Sequence, residues 1–459
     1  MLIWFETHFA VLLGMILALV AIANLLRKRR SPTSLIAWLL VIILLPYIGV
    51  PLYLMLGGRK MNRIAESKSK IKLNERQILP LERASIIDRG LRACGIPAAM
   101  RGNRMELCLT GEETYRALVE MIERAQISIY IAIFIFAEDE VGFDILERLC
   151  RKASQGIKVR LLLDGVGSLK TSHTFLEPLV SCGGRYEFFM PVFRRPLRGR
   201  TNLRNHRKIV IIDECRAWAG GQNIADEYIG PGTKNERWKD LSFVVQGPAV
   251  IPFMELFRSD WLFASGEDLH LHPEAVCANL ANNGVLQVVP SGPDLIHDGL
   301  YEAILSSVFA ARKRLWLVTP YFVPDEALNQ GLVIAAHRGV DVRIIVPEKS
   351  NHFMADVVRS GYLREIQAAG GTIMMYKGML HAKVMLMDET LAMIGSANLD
   401  SRSLFLNYEV ATFVYSTQEI MDITNWLENM SEDTVPGIKK AGMLRGLFEG
   451  VAQIISPQV

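Results

Sequence analysis

Cysteine is scarce and unclustered in this chain: Cys94, Cys108, Cys150, Cys182, Cys215 and Cys277 are its six cysteines in 459 residues, and no two are spaced Cys-x-x-Cys. That spacing excludes a zinc knuckle and a dithiol redox motif, and the six read as reduced, mostly buried thiols. No His-Glu-x-x-His helix or acidic metal-binding run occurs. The pair His270 and His272 has a metal-like spacing but no third ligand, and reads as surface polarity in a linker. Excess charge is also lacking. A net +3 is too small to argue for nucleic acid, and the interleaved basic and aromatic residues of a strand-binding groove are missing.

What the chain has in quantity is hydrophobic residues, 50% of the total. Its length exceeds one ordinary core, so two folded units are expected. The apolar excess sits at the N-terminus. Phe9 to Leu26 is an 18-residue run without charge and Leu35 to Leu56 a 22-residue run without charge, each long enough to cross or deeply enter a bilayer. A cleaved signal peptide does not fit, because no basic segment precedes the first run and a second follows at once. Pro46 and Pro51 interrupt the second run, which reads as a kinked span or a re-entrant segment. Four basic residues, Arg27 to Arg30, separate the runs; seven more lie between Arg59 and Arg76. With two full spans, this places the large domain on the cytoplasmic side.

The rest of the chain repeats. "HRKIVIIDECRAWAGGQN" at His206 returns 175 residues later as "HAKVMLMDETLAMIGSAN" at His381. His206, Lys208, Asp213, Gly220 and Asn223 map one for one onto His381, Lys383, Asp388, Gly395 and Asn398. Upstream, "ISIYIAIFIF" then "QGIKVRLLLD" resembles "RLWLVTPYFV" then "RGVDVRIIVP". Each half therefore reads as strand, helix, strand and a later motif strand, the alternation of α/β units, duplicated once.

Two such halves packed about a pseudo-twofold axis bring two imidazoles, two ammonium groups and two asparagine amides to one cleft. That set suits a phosphodiester. Lysines and amides neutralise developing charge on the non-bridging oxygens, one histidine attacks phosphorus, and the other moves the leaving-group proton. The scheme needs no metal or cofactor. In a strand, His206 and Lys208 share a face and Asp213 does not, so Asp213 and Asp388 are expected to brace the fold. Asp240 and Glu409, each opening an apolar strand-like run after the asparagines, are the expected partners of the histidines' other ring nitrogens.

These doubled elements resemble the phospholipase D superfamily over roughly Met105 to Ser416. The surrounding "NLRNHRKIVIID", "GGQNIADEY", "WKD", "TPYFVPDE" and "GSANLDSRSLFLNYE", with two apolar segments in front, resemble bacterial cardiolipin synthases. The resemblance implies an α/β fold of two pseudo-twofold-related phospholipase D domains forming one active site, preceded by two transmembrane helices. It also implies transfer of a phosphatidyl group between two phosphatidylglycerol molecules, giving cardiolipin and glycerol. The motif grouping counts His206, Lys208, Asp213, His381, Lys383 and Asp388 as the catalytic set, with Asn223, Asn398, Asp240 and Glu409 binding phosphate or orienting the histidines. Spacing treats the histidines alike; superfamily precedent makes His206 the nucleophile and His381 the general acid and base. A hydrolase, a transferase with another donor or alcohol, and a nuclease of the same superfamily stay open. The expected partners are phosphatidylglycerol and anionic membrane lipids, not nucleic acid, and the expected location is the bacterial inner membrane, multi-pass. Oligomeric state is not set by the sequence.

The expected divisions are an anchor (1–60), a linker (61–104), a first domain (105–265), a second linker (266–284), a second domain (285–430) and an amphipathic tail (431–459). Arg194, Arg195, Arg198, Arg200 and Arg204 form a basic stretch before the first motif that either gathers anionic headgroups or is simply solvated. In the tail, Met443, Leu444, Leu447, Val451, Ile454 and Ile455 recur at helical intervals, suited to docking on the domain or lying in the interface.

Overall fold

The computed structural model describes residues 2–27, 32–56, 68, 85–191, 203–270 and 283–439, with 441–442, 445–446 and 449 near the end and part of the side chains between 2 and 56. The basic stretch 194–200, His272, Cys277 and most of the tail lie outside the described residues.

The first half contributes seven strands and the second half eight to one 15-stranded sheet. The first half supplies β1 (Met100–Cys108), β2 (Ser128–Ile133), β3 (Lys158–Asp164), β4 (Arg185–Phe189), β5 (Ile209–Ile212), β6 (Arg216–Gly220) and β7 (Ser242–Gln246). The second supplies β8 (Gly284–Ser291), β9 (Arg314–Val318), β10 (Phe322–Val323), β11 (Asp341–Pro347), β12 (Thr372–Tyr376), β13 (Val384–Met387), β14 (Leu391–Gly395), β15 (Leu399–Asp400), β16 (Glu409–Val414) and β17 (Thr434–Pro436). The sheet runs β17-β12-β11-β9-β13-β14-β16-β8-β1-β7-β6-β5-β2-β3-β4, while β10 and β15 pair separately. Read outward from the antiparallel β8–β1 junction, the two arms repeat strand for strand: β1 answers β8, β7 answers β16, and the motif strand β5 answers β13. The first half therefore begins at Met100 rather than at 105, because β1 is the strand that joins the arms. The expected tail likewise starts too early, since β17 pairs with β12.

Helices cover both faces, which is why the strands read as continuous apolar runs. On β2, Ile129, Ile131 and Ile133 face the helices Gly111–Arg124, Glu140–Ser154 and His173–Ser181, while Tyr130 and Ala132 face a core shared by both halves. That shared core packs beneath Val250–Ser265 and Thr417–Ser431. It makes the two halves one body.

The N-terminal runs fold as α1 (Leu2–Arg27), α2 (Pro32–Leu44) and α3 (Pro46–Leu56). Among the described residues no helix is long and apolar enough to cross a membrane; α1 has 26 residues, but the side chains of Leu2 to Val11 lie outside the described set. The second run is not one helix. It turns back at Leu45 and Pro46, so that Trp38 and Tyr53 stack edge to face at 5.4 Å and a Cβ on Gly49 would sit 2.5 Å from the Val41 carbonyl oxygen. Residues 15 apart on one continuous helix would be about 22 Å apart. Proline at 46 removes the hydrogen bond that would carry the helix through.

One cysteine departs from expectation. Cys94, Cys108, Cys150 and Cys182 are free thiols, whereas Cys215 is disulfide-bonded.

Candidate active site

Both motif strands are fully buried runs, Ile209–Ile212 and Val384–Met387, and each is entered through its His-x-Lys segment. The entry is fixed by backbone hydrogen bonds to the other half. His206 N–H donates to the Tyr408 carbonyl (2.9 Å) and Tyr408 N–H to that of Arg204 (2.9 Å); His381 N–H donates to Lys239 (2.7 Å) and Lys239 N–H to Met379 (2.8 Å). The residues following Tyr408 and Lys239 are Glu409 and Asp240. Each histidine therefore meets the carboxylate of the opposite half: His206 Nδ1 lies 2.9 Å from Glu409 Oε2, and His381 Nδ1 lies 2.7 Å from Asp240 Oδ2.

The glycines of the repeat make this approach possible. A Cβ on Gly220 would come within 2.5 Å of the Ser242 Cβ. At the next position the halves differ: Gly221 leaves room for the Asp240 carboxylate, whereas its counterpart Ser396 donates its hydroxyl to Glu409 Oε2 at 2.5 Å. Asn407 Nδ2 also donates to Glu409, at 3.3 Å.

Both rings line one cavity of about 290 Å³, with Phe134, His206, Asn223 and Tyr228 from the first half and Tyr321, His381, Asn398 and Arg402 from the second, and Lys383 Nζ lies 3.1 Å from His381 Nε2. Its size is at the lower end for small-molecule pockets. Aromatic edges hold the rings: Phe134 lies 4.8 Å from His206, and Tyr228 5.0 Å from His381.

Burial and the neighbouring lysines push the His206 imidazole down to about 4, against the pull of Glu409. Burial and Lys383 push His381 down to about 3, against Asp240. Burial lowers Lys383 to about 8 and lowers Lys208 strongly, although Glu409 opposes it. Glu409, despite burial, is held below the usual carboxylate range by His206 and Lys208. Near neutral pH both imidazoles are thus uncharged beside an ionised Glu409.

The lysines are not on the cavity wall. Lys208 donates to the His206 carbonyl at 2.8 Å and lies over the Phe134 ring; Lys383 donates to the His381 carbonyl and approaches that ring's Nδ1 at 2.8 Å. Asn223 and Asn398 do reach the cavity; Asn223 Oδ1 also accepts from Ile135 N–H at 3.2 Å.

Asp213 and Asp388 stand apart from the rest of the motif-derived set. Asp213 accepts from the backbone N–H groups of Gln126, Ile127 and Ser128, and Asp388 from those of Arg312, Lys313 and Arg314. Both have positive φ, 52° and 51°, a turn conformation that aspartate tolerates. They pin the motif turns to the starts of β2 and β9 and do not line the cavity.

Among the described residues no group of His, Cys, Asp and Glu could hold a metal ion, and His270 is exposed. Sequence reasoning missed Ser396, Asn407, Tyr321, Arg402 and Asp400, a cavity carboxyl that burial raises to about 6. The repeat offset could have found Ser396, which breaks the Gly-Gly pattern.

Residues 118–261 and 304–431, one segment in each half, match the family described as cardiolipin synthase, PLD-like domain. The chain belongs to that family. Residues 16–58 also match the family described as phospholipase D-nuclease N-terminal, which covers the C-terminal part of α1 and all of α2 and α3. The chain is 34% identical to cardiolipin synthase 1 of Bacillus cereus, over 94% of this chain and 90% of that protein, and 31% identical to a cardiolipin synthase of Clostridium perfringens over 94% and 95%. A crystal structure of phosphatidylserine synthase from Haemophilus influenzae Rd KW20 superposes with a TM-score of 0.63 at 15% identity, covering 82% of this chain and all of that one, a likeness of fold.

Proposed function

We propose that the protein is a cardiolipin synthase, a phosphatidyltransferase that joins two phosphatidylglycerol molecules and releases glycerol. The observation that carries the reading is the exchanged pairing, in which two neutral imidazoles held by opposite carboxylates line one cavity. Nε2 of His206 attacks phosphorus of the first lipid, and the bond from phosphorus to the glycerol oxygen breaks. The anionic phosphodiester favours a proton on His381, which passes it to the departing alkoxide. The hydroxyl of a second phosphatidylglycerol then gives its proton to His381 and attacks phosphorus, the phosphorus–nitrogen bond breaks, and His206 is restored. Both histidines are buried, which favours a lipid alcohol over bulk water in the second step.

His206 is taken as the nucleophile because its Nδ1 meets Glu409 while Lys208 donates to the His206 carbonyl, whereas Lys383 Nζ crowds Nδ1 of His381 at 2.8 Å. The test is lipid analysis after adding protein to phosphatidylglycerol vesicles, with His206→Ala as control. Cardiolipin and equimolar glycerol, both absent in the variant, support the reading; phosphatidic acid would make the protein a hydrolase.

For the membrane, the reading is one crossing by α1 and a hairpin that enters and leaves on the same side. The hairpin tip, Tyr47, lies beside Gly14, where a Cβ would sit 2.9 Å from its hydroxyl, and its base packs near Ala21 and Leu25. From Gly14 to Arg27 is about 20 Å along a helix, short of the ~30 Å hydrocarbon layer. Leu12, Met15, Leu19, Ile43 and Leu44 are exposed, suited to lipid. Both basic segments, 27–30 and 59–76, then share the side of the large domain, which places it in the cytoplasm under the charge rule. The disulfide at Cys215 argues the other way, being of a kind that persists in oxidising compartments; the charge argument rests on more residues and is preferred.

A further inference from the structure

Lys68 comes from the segment that joins the apolar helices to the two-half body, and it is 2% exposed. Its ammonium pairs with Asp260, on the helix Val250–Ser265 of the first half, and with Asp294 Oδ2 of the second half at 2.8 Å. It also lies 4.6 Å from the centroid of Tyr408, the residue whose backbone receives His206.

Asp260 leads from this lysine to the active site. Its carboxylate accepts two hydrogen bonds of 2.8 Å from Arg207 Nη1 and one of 2.9 Å from Asn205 Nδ2. These are the residues on either side of His206. Arg207 Nε in turn donates to the Glu409 carbonyl at 3.1 Å, and its Nη2 to the Ser291 carbonyl at 3.2 Å. One buried cluster thus grips the backbone around the histidine and around the carboxylate that orients it.

The charges balance only with Lys68 present. Lys68 and Arg207 face Asp260 and Asp294, and all four side chains are 0–1% exposed. Without the lysine, two dry carboxylates share one guanidinium, an arrangement that strongly penalises the folded geometry. Among the described residues the second half has nothing comparable. At the positions equivalent to Asn205 and Arg207, His381 is flanked by Leu380 and Ala382, both buried in the apolar core. The cluster therefore breaks the pseudo-twofold symmetry at one histidine.

We propose that Lys68 is a positioning residue for His206: its ammonium locks the first motif across the two halves. The proposal rests on the reading of His206 as nucleophile. Lys68→Met in the full chain is expected to lower kcat on the order of 100-fold, the scale of a misaligned reacting group, with KM for phosphatidylglycerol little changed. Lys68→Met/Asp294→Asn removes one charge of each sign and is expected to recover most of the loss, as is Lys68→Arg in part.

The assay uses phosphatidylglycerol vesicles and, separately, bis(p-nitrophenyl) phosphate, with melting temperature followed in parallel. Cleavage of the nitrophenyl ester without cardiolipin formation would overturn the lipid reading while still testing Lys68. A Lys68→Met chain with normal kcat would overturn the proposal. So would a double variant that regains the melting temperature but not kcat. If the single variant does not fold, the double variant alone decides, and near-normal kcat in it is the expected result.

Discussion

His206 of the first half is oriented by Glu409 of the second, 203 positions away in the chain, at 2.9 Å between Nδ1 and Oε2. Asp240 and His381 repeat the relationship in the opposite direction at 2.7 Å. Neither half holds a complete histidine and carboxylate pair, so the duplication is a requirement of the site.

Replacing either carboxylate by its amide keeps the shape but removes the charge that fixes the tautomer. Glu409→Gln is expected to lower kcat by about 100-fold or more, with KM changed little. Asp240→Asn is expected to slow the proton-transfer steps while still allowing a covalent adduct to form. Single-turnover kinetics separate the two; equal effects on adduct formation would contradict the assigned roles.

The depressed histidines predict a pH signature. A free imidazole titrates near 6.5, whereas His206 is held to about 4 and His381 to about 3. Between these limits the unfolded chain binds protons that the folded chain does not. Stability therefore is full above about 6.5 and falls as pH drops toward the folded values. Thermal melts from pH 7 to 4 check this, and the slope is expected to shrink in His206→Ala/His381→Ala. On the alkaline side kcat/KM is expected to decline as pH rises through about 8, where Lys383 loses its charge.

Asp213 is expected to matter for stability rather than for chemistry. Truncation to alanine removes an acceptor for three backbone N–H groups and leaves alanine at a φ of 52°. The expected loss is about 2 kcal/mol, read by denaturant unfolding, with kcat of the folded protein within a few-fold of normal. A large loss of kcat at unchanged stability would restore Asp213 to the chemical step.

The sequence made the two halves and the motif strands legible because the repeat preserves the offsets of its His, Lys, Asp, Gly and Asn, and strand parity separated Asp213 from His206. What it concealed was set by tertiary packing. No local pattern says that Glu409 serves His206 rather than His381, since each carboxylate follows the asparagine of its own half. Lys68 was one of seven basic residues in a charged stretch, and only the fold shows it buried. The second apolar run had the length of a span, and the prolines left the kink and the fold-back equally open until Trp38 and Tyr53 were placed together.

That hairpin makes a labelling prediction. With a membrane-impermeant thiol reagent on cells expressing otherwise Cys-free protein, Arg30→Cys and Lys60→Cys are expected to react from the same side and Glu6→Cys from the other. Arg30→Cys and Lys60→Cys reacting from opposite faces would mean two full crossings.

The central claim is a transferred phosphatidyl group carried on His206 of a site shared by both halves. The most direct measurement is rapid acid-free quenching of the protein with phosphatidylglycerol, followed by peptide mass spectrometry. The account predicts a phosphatidyl adduct on His206 that accumulates in His381→Ala and is absent in His206→Ala. An adduct on His381, or cardiolipin formed with no adduct on either histidine, would contradict it.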